Sequence, residues 1–150
     1  MGVLTILQDG APVLRQVASE VNAGDTHICK LALDMIETLH AARGVGLAAP
    51  QVGQSVRLIV LNFGKAGPNV AMVNPVIIRK SDDIQISCEG CLSISGGRRY
   101  IKVKRACKVW VEFNAPGSAT REVLKLKGLM AAAAQHECDH LDGRLLTDYA

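Results

Sequence analysis

Near the end of the chain stands Gln135-His136-Glu137-Cys138-Asp139-His140, an H-E-x-x-H string that restricts the fold more than any other. On a helix, two histidines four residues apart share a face and can hold one metal ion. With Glu137 between them the pair reads as a metal site for metal-assisted hydrolysis. The preceding Ala131 to Ala134 are strong helix formers. They are also small, so other backbone can approach this face closely. A catalytic metal usually takes a third protein ligand, and only ten residues follow His140.

That ligand must come from upstream or from the short tail. The tail offers Asp142 and Asp148, at no familiar zinc-peptidase spacing. His27 and His40 belong to a first helix and read as surface or packed histidines. Cys91 is the strongest candidate. It lies in Glu89-Gly90-Cys91-Leu92-Ser93, where a strand gives way to a glycine turn. A thiolate there suits zinc or ferrous iron. Cys88 stands three residues earlier, but a redox pair would need a helix within a β-α-β unit. A four-cysteine zinc site would need a second close pair. Cys88 therefore reads as incidental.

A chain of 150 residues is expected to form one domain, residues 1–150. Five cysteines without a secretory signal at the N-terminus point to a reducing cytoplasm and free or metal-bound thiols. No apolar run approaches a membrane span. The net charge of +3 is mild. Its basic residues nevertheless cluster at Arg98, Arg99, Lys102, Lys104, Arg105 and Lys108. Lys102 and Lys104 alternate with Ile101 and Val103, as on a strand with one basic face. Such a face is either solvated or turned to an anionic partner such as RNA or a peptide carboxylate.

The periodicity predicts a helix from Asp25 or Thr26 to about Ala42, with Ile28, Leu31, Met35 and Leu39 buried and Gly44 as its stop. Strands are expected over 56–62, 70–80, 84–88, 101–113 and 120–126, and a last helix from Gly128 through His140, ended by Gly143. Strands clustered between two helices indicate an α+β fold with antiparallel sheet. Gly44-Val45-Gly46-Leu47-Ala48-Ala49 fits a loose dinucleotide pattern. It follows a helix and leads toward a strand, opposite to a Rossmann loop, so no nucleotide is expected. A small-residue loop running close to a ligand, with Gln51 projecting an amide, is the alternative.

Three strings in order, Gly44-Val45-Gly46-Leu47-Ala48-Ala49-Pro50-Gln51, Glu89-Gly90-Cys91-Leu92-Ser93 and Gln135-His136-Glu137-Cys138-Asp139-His140, resemble the signature motifs of the peptide deformylases. The resemblance extends from Gly10 to Tyr149. It implies removal of the N-formyl group from the initiator methionine of nascent polypeptides. It implies Cys91, His136 and His140 as ligands of one Fe2+, for which Zn2+ or Ni2+ can substitute. Glu137 would be the general acid/base, and Gln51 and the Leu92 N–H would hold the oxyanion. Gly46 would face the peptide, Val45, Glu89 and Ala133 would lie near the methionine pocket, and Arg98 near its mouth. The implied fold has antiparallel sheets packed around a central helix that carries H-E-x-x-H, plus one N-terminal helix.

Departures from the family pattern are Ser95 in place of a usual proline, the alanines 131–134 in place of bulkier residues, and the missing C-terminal helix that many members carry. That helix is linked to ribosome docking, so ribosome contact is expected to be absent or to use another surface. Short forms of this kind occur in the family, phage-encoded ones among them. Two other functions fit parts of the sequence: a general H-E-x-x-H metallopeptidase, and a non-catalytic protein with a structural zinc.

Overall fold

The computed structural model describes residues 2–94 and 100–150. Helix α1 spans Thr26–Ala42, and its N-cap Asp25 accepts the His27 N–H at 2.8 Å. The predicted stripe Ile28, Leu31, Met35 and Leu39 is buried, with Met35 and Leu39 fully enclosed. Each side chain so enclosed contributes about 1.5–3 kcal/mol of hydrophobic stabilisation. The helix ends at Ala42, as expected, but not on Gly44. Arg43 takes the left-handed conformation, φ 55°, and its N–H bonds the His40 carbonyl. Gly44 is needed for space instead: a Cβ there would sit 2.8 Å from Leu39 Cδ1 and 2.9 Å from Leu92 Cδ1.

Among the described residues, seven strands follow the predicted clustering. They are β1 (Gly46–Ala48), β2 (Leu58–Leu61), β3 (Val70–Lys80), β4 (Ile84–Glu89), β5 (Ile101–Ala106), β6 (Lys108–Asn114) and β7 (Arg121–Lys127). One antiparallel sheet has the order β1-β2-β3-β6-β7, and β4 pairs with β5 in a second. Helix α2 (Gly128–Leu141) touches strands of both sheets, so the H-E-x-x-H helix is central, as expected. Ile59 and Leu61 of β2 face α2, together with Val111 and Phe113. Leu58 and Val60 face α1. Coverage on both sides explains why β2 is an unbroken apolar run.

Two strand boundaries differ from expectation. The run 101–113 is two strands in different sheets, divided at Cys107. There the Cys107 N–H bonds the Asp83 carbonyl and the Lys108 N–H bonds Ser81 Oγ. Alternation continues across this corner without a glycine or proline to mark it. The short β1 was expected to be loop, because Gly46-Leu47-Ala48 has little strand propensity. Its register, Gly46 to Leu61 and Ala48 to Ile59, is set by the neighbouring strand.

Helix α2 follows β7 without a side-chain cap, and Gly128 at φ 57° makes the turn. At its far end Gly143 has φ 75°, and a Cβ there would lie 2.6 Å from the Arg15 carbonyl oxygen. Both conformation and space require glycine at that position.

Candidate metal centre

His136 and His140 lie on the inner face of α2, one turn apart, with ring centroids 5.2 Å from each other. Cys91 arrives from the turn after β4. One ligand atom each from Cys91, His136 and His140 lie within 4.8 Å of one another. Cys91 Sγ is 3.4 Å from His140 Nε2. The tail alternatives are engaged elsewhere: Asp142 pairs with Arg57 at 2.9 Å and Asp148 with Arg15 at 2.8 Å. His27 and His40 are exposed on α1, Cys88 is exposed on β4, and Cys138 lies outside the cluster.

The surroundings of each ligand decide its chemical form. Glu89 closes β4 and is buried. Burial alone would push its carboxyl up, but hydrogen bonds from Arg105 and His136 outweigh that and hold it at about 2. An ionised carboxylate only accepts hydrogen bonds, so His136 Nδ1, 3.0 Å from Glu89 Oε1, carries the hydrogen. Nε2 is then the ring nitrogen left for a ligand. Glu89 was expected near the methionine pocket. It does line the cavity, but its carboxylate is turned to Arg105 and His136.

Burial pushes His140 down to about 3, which keeps its imidazole neutral with a lone pair available. His136 is displaced the other way: burial opposes it, but the charge on Glu137 and the hydrogen bonds to Cys91 and Glu89 prevail and favour a bound proton. Surroundings that hold a proton so firmly also favour a metal cation. A thiol sulfur and two imidazole nitrogens form a donor set for zinc or ferrous iron. The residues present fit the group.

Glu137 is buried beside this cluster, and burial pushes its carboxyl up to about 7. Its Oε1 has no hydrogen-bond partner among the described residues. Gly46 of β1 explains how the carboxylate fits, since a Cβ there would stand 2.6 Å from Glu137 Oε2. Gln51 is buried in the 3-10 turn Ala49–Val52. Its Oε1 accepts the Ala48 N–H at 2.9 Å, which directs the amino end toward Ser93 Oγ at 3.0 Å and Cys91 Sγ at 3.7 Å. A cavity of about 360 Å3 opens onto these groups, with Val45, Gly46, Leu92 and Ala133 in its wall. Arg98 and Ser95 lie outside the described residues.

Sequence reasoning missed Arg105 as a member of the site. It was grouped with the basic cluster, yet it is buried and paired with Glu89 at 2.7 Å and Asp139 at 2.8 Å. A signal was available, because Arg105 shares its strand face with buried Ile101 and Val103. Lys102 and Lys104 are exposed, as expected. Ser93, also missed, carries no signal of its own.

A trio able to hold a metal ion, beside a buried carboxyl and opening onto a cavity, is the arrangement of a metal-dependent hydrolase. Comparison with known proteins narrows this. The sequence profile of the polypeptide deformylases matches residues 3–150. The peptide deformylase of Desulfitobacterium hafniense is 44% identical over 151 residues, covering 100% of this chain and 96% of that protein. The Ehrlichia chaffeensis enzyme in complex with actinonin superposes with a TM-score of 0.93 at 33% identity, covering 100% of this chain and 90% of that one. The Thermotoga maritima enzyme gives 0.90 at 35% identity, with 98% and 97% covered. The chain belongs to the polypeptide deformylase family.

Proposed function

We propose that residues 1–150 act as one catalytic domain that removes the formyl group from the initiator formyl-methionine of nascent polypeptides and releases formate. The observation that carries this reading is the convergence of Cys91 on His136 and His140 from a different element of the fold. Cys91, His136 and His140 would hold one metal ion, which we take to be Fe2+, with Zn2+ or Ni2+ able to replace it. When bound, the metal supplies Lewis acidity and makes a water-derived nucleophile available near neutrality.

The residues around it do the rest. Glu137 accepts a proton from the attacking water and later delivers it to the leaving amine nitrogen as the C–N bond breaks. A carboxyl with a pKa of about 7 can both take and return that proton at physiological pH. As the formyl carbon becomes tetrahedral, charge grows on its oxygen. The Gln51 amino group, oriented by the Ala48 N–H, and the Leu92 N–H are the donors we assign to it. Val45 and Ala133 would line the methionine side-chain pocket and Gly46 would present backbone to the peptide; formamide plus water gives formate, the free amine and one released proton.

Nascent substrates would place this work in the cytoplasm, with ribosome contact either absent or made through a surface other than a C-terminal helix. No helix among the described residues is long and apolar enough to cross a membrane. The decisive experiment is an anaerobic preparation loaded in turn with Fe2+, Ni2+ and Zn2+ and assayed on formyl-methionyl peptides. Formate release is expected with at least the iron form. Silence with every metal would overturn the reading, and cleavage of unformylated peptides would favour a metallopeptidase.

A further inference from the structure

The two histidines of α2 are not supported alike. His140 Nδ1 is buried without a hydrogen-bond partner among the described residues. His136 Nδ1 meets Glu89, and behind Glu89 the contacts continue through three more side chains. Arg105 grips both carboxylate oxygens, Nη2 to Oε1 at 2.7 Å and Nε to Oε2 at 2.9 Å. Its Nη1 donates to Asp139 Oδ2 at 2.8 Å. The same oxygen accepts the Tyr149 hydroxyl at 2.7 Å. The Tyr149 ring also underlies the Arg105 guanidinium, whose carbon is 4.9 Å from the ring centroid.

Tyr149 is itself held. It ends the 3-10 turn Leu146–Tyr149, in which Asp148 Oδ2 accepts the Leu145 N–H at 2.9 Å and Arg15 Nη1 at 2.8 Å. Leu146 and Tyr149 pack with Ile101, Val103 and Cys91. One turn thus reaches two of the three candidate ligands, Cys91 by packing and His136 by a polar chain.

A ligating imidazole needs its second nitrogen bonded to keep ring angle and tautomer, and that outer partner must in turn be fixed. Glu89 can hold His136 only while Arg105 holds Glu89. Arg105 has a planar fork of donors, and Asp139 and the Tyr149 ring set the plane. We propose that Tyr149 is a positioning residue of the metal centre, acting through Asp139, Arg105 and Glu89 on His136. The proposal rests on the reading of His136 as a metal ligand.

Four variants test it: Glu89→Gln, Asp139→Asn, Tyr149→Phe, which keeps the ring and removes the hydroxyl, and Tyr149→Leu, which removes both. Three quantities are measured: Zn2+ affinity by chelator competition, the visible spectrum of the Co2+-loaded protein, and the urea midpoint of the metal-free protein. Glu89→Gln should weaken Zn2+ binding about 10- to 100-fold. Asp139→Asn should come next. Tyr149→Phe should weaken it about tenfold, the low end for an outer partner, with a shifted Co2+ spectrum and an unchanged metal-free midpoint. Tyr149→Leu should exceed Tyr149→Phe. Wild-type affinity and spectrum in Tyr149→Phe would overturn the proposal. So would affinity losses that merely track losses of metal-free stability. If a His136→Ala control binds Zn2+ as wild type does, the ligand role of His136 fails, and that outcome is separate from the failure of Tyr149 alone.

Discussion

At residue scale, Glu137 depends on a side chain that is not there. Gly46 gives the carboxylate room, and a methyl group would stand 2.6 Å from its Oε2. Gly46→Ala should therefore displace Glu137 without touching the ligands. A misplacement near 1 Å costs on the order of 100-fold in rate, so we expect kcat to fall about that much while metal content stays at the unsubstituted protein's level. Steady-state kinetics with metal analysis checks this, and an unchanged kcat would show that Glu137 tolerates the shift. Gln51 is tied at its carbonyl end by the Ala48 N–H, so its amino group cannot swing freely. Losing one oxyanion donor typically costs about 100- to 1000-fold in kcat. Gln51→Ala should show that loss with its metal retained, and a loss below about tenfold would remove Gln51 from the role.

At the scale of elements, two local arrangements carry measurable consequences. The C-terminal end of α2 needs glycine twice over, for φ 75° at Gly143 and for the 2.6 Å approach to the Arg15 carbonyl. Left-handed backbone costs a non-glycine residue about 1–2 kcal/mol, and relieving the clash adds to it. Gly143→Ala should lower the urea-unfolding free energy by about 2 kcal/mol or more. A neutral result would mean that the chain around Arg15 shifts freely. The second arrangement pins the N-terminal segment to α1. Asp34 Oδ1 accepts the Gly2 N–H at 3.0 Å, Asp34 Oδ2 takes Lys30 at 2.7 Å, and Thr38 Oγ1 accepts the Leu4 N–H at 2.8 Å. The bond from Lys30, then that from Gly2, lowers the Asp34 pKa. A lowered folded pKa stabilises above the ordinary carboxylate value of about 4. That stabilisation is lost as pH falls through the lowered value. Amide exchange at Gly2 and Leu4, corrected for intrinsic rates, should accelerate on acidification through this range. Asp34→Asn should abolish the pH dependence, and an equal slope in both proteins would locate it elsewhere.

For the whole molecule, the candidate ligands bind two parts of the fold together, the turn after the small sheet and the central helix. Any metal that binds only the folded state stabilises it, by about 2.7 kcal/mol at 100 times its Kd. Chelation should lower the thermal midpoint, and restoring Zn2+ should raise it again; a midpoint indifferent to chelator would argue against a site that spans two elements. Much of this was legible in the chain. The spacing His136-x-x-x-His140 dictates a shared helix face, because 3.6 residues per turn allows no other alignment. The stripe Ile28, Leu31, Met35 and Leu39 fixes α1 by the same period, and the β-branched residues of 70–80 and the alternation in 84–88 mark two of the strands. The break at Cys107 and the short β1 were not legible, since both depend on which strand lies alongside. Nor was the pairing of Glu89 with Arg105 and His136, which stand 16 and 47 residues from it along the chain. Local period and residue chemistry act within a turn or two of chain, and they determined the helices, most strands and the ligand types. Which buried charge meets which, and that a glycine in β1 makes space for a carboxylate in α2, are contacts between distant segments that only close packing of the folded chain decides.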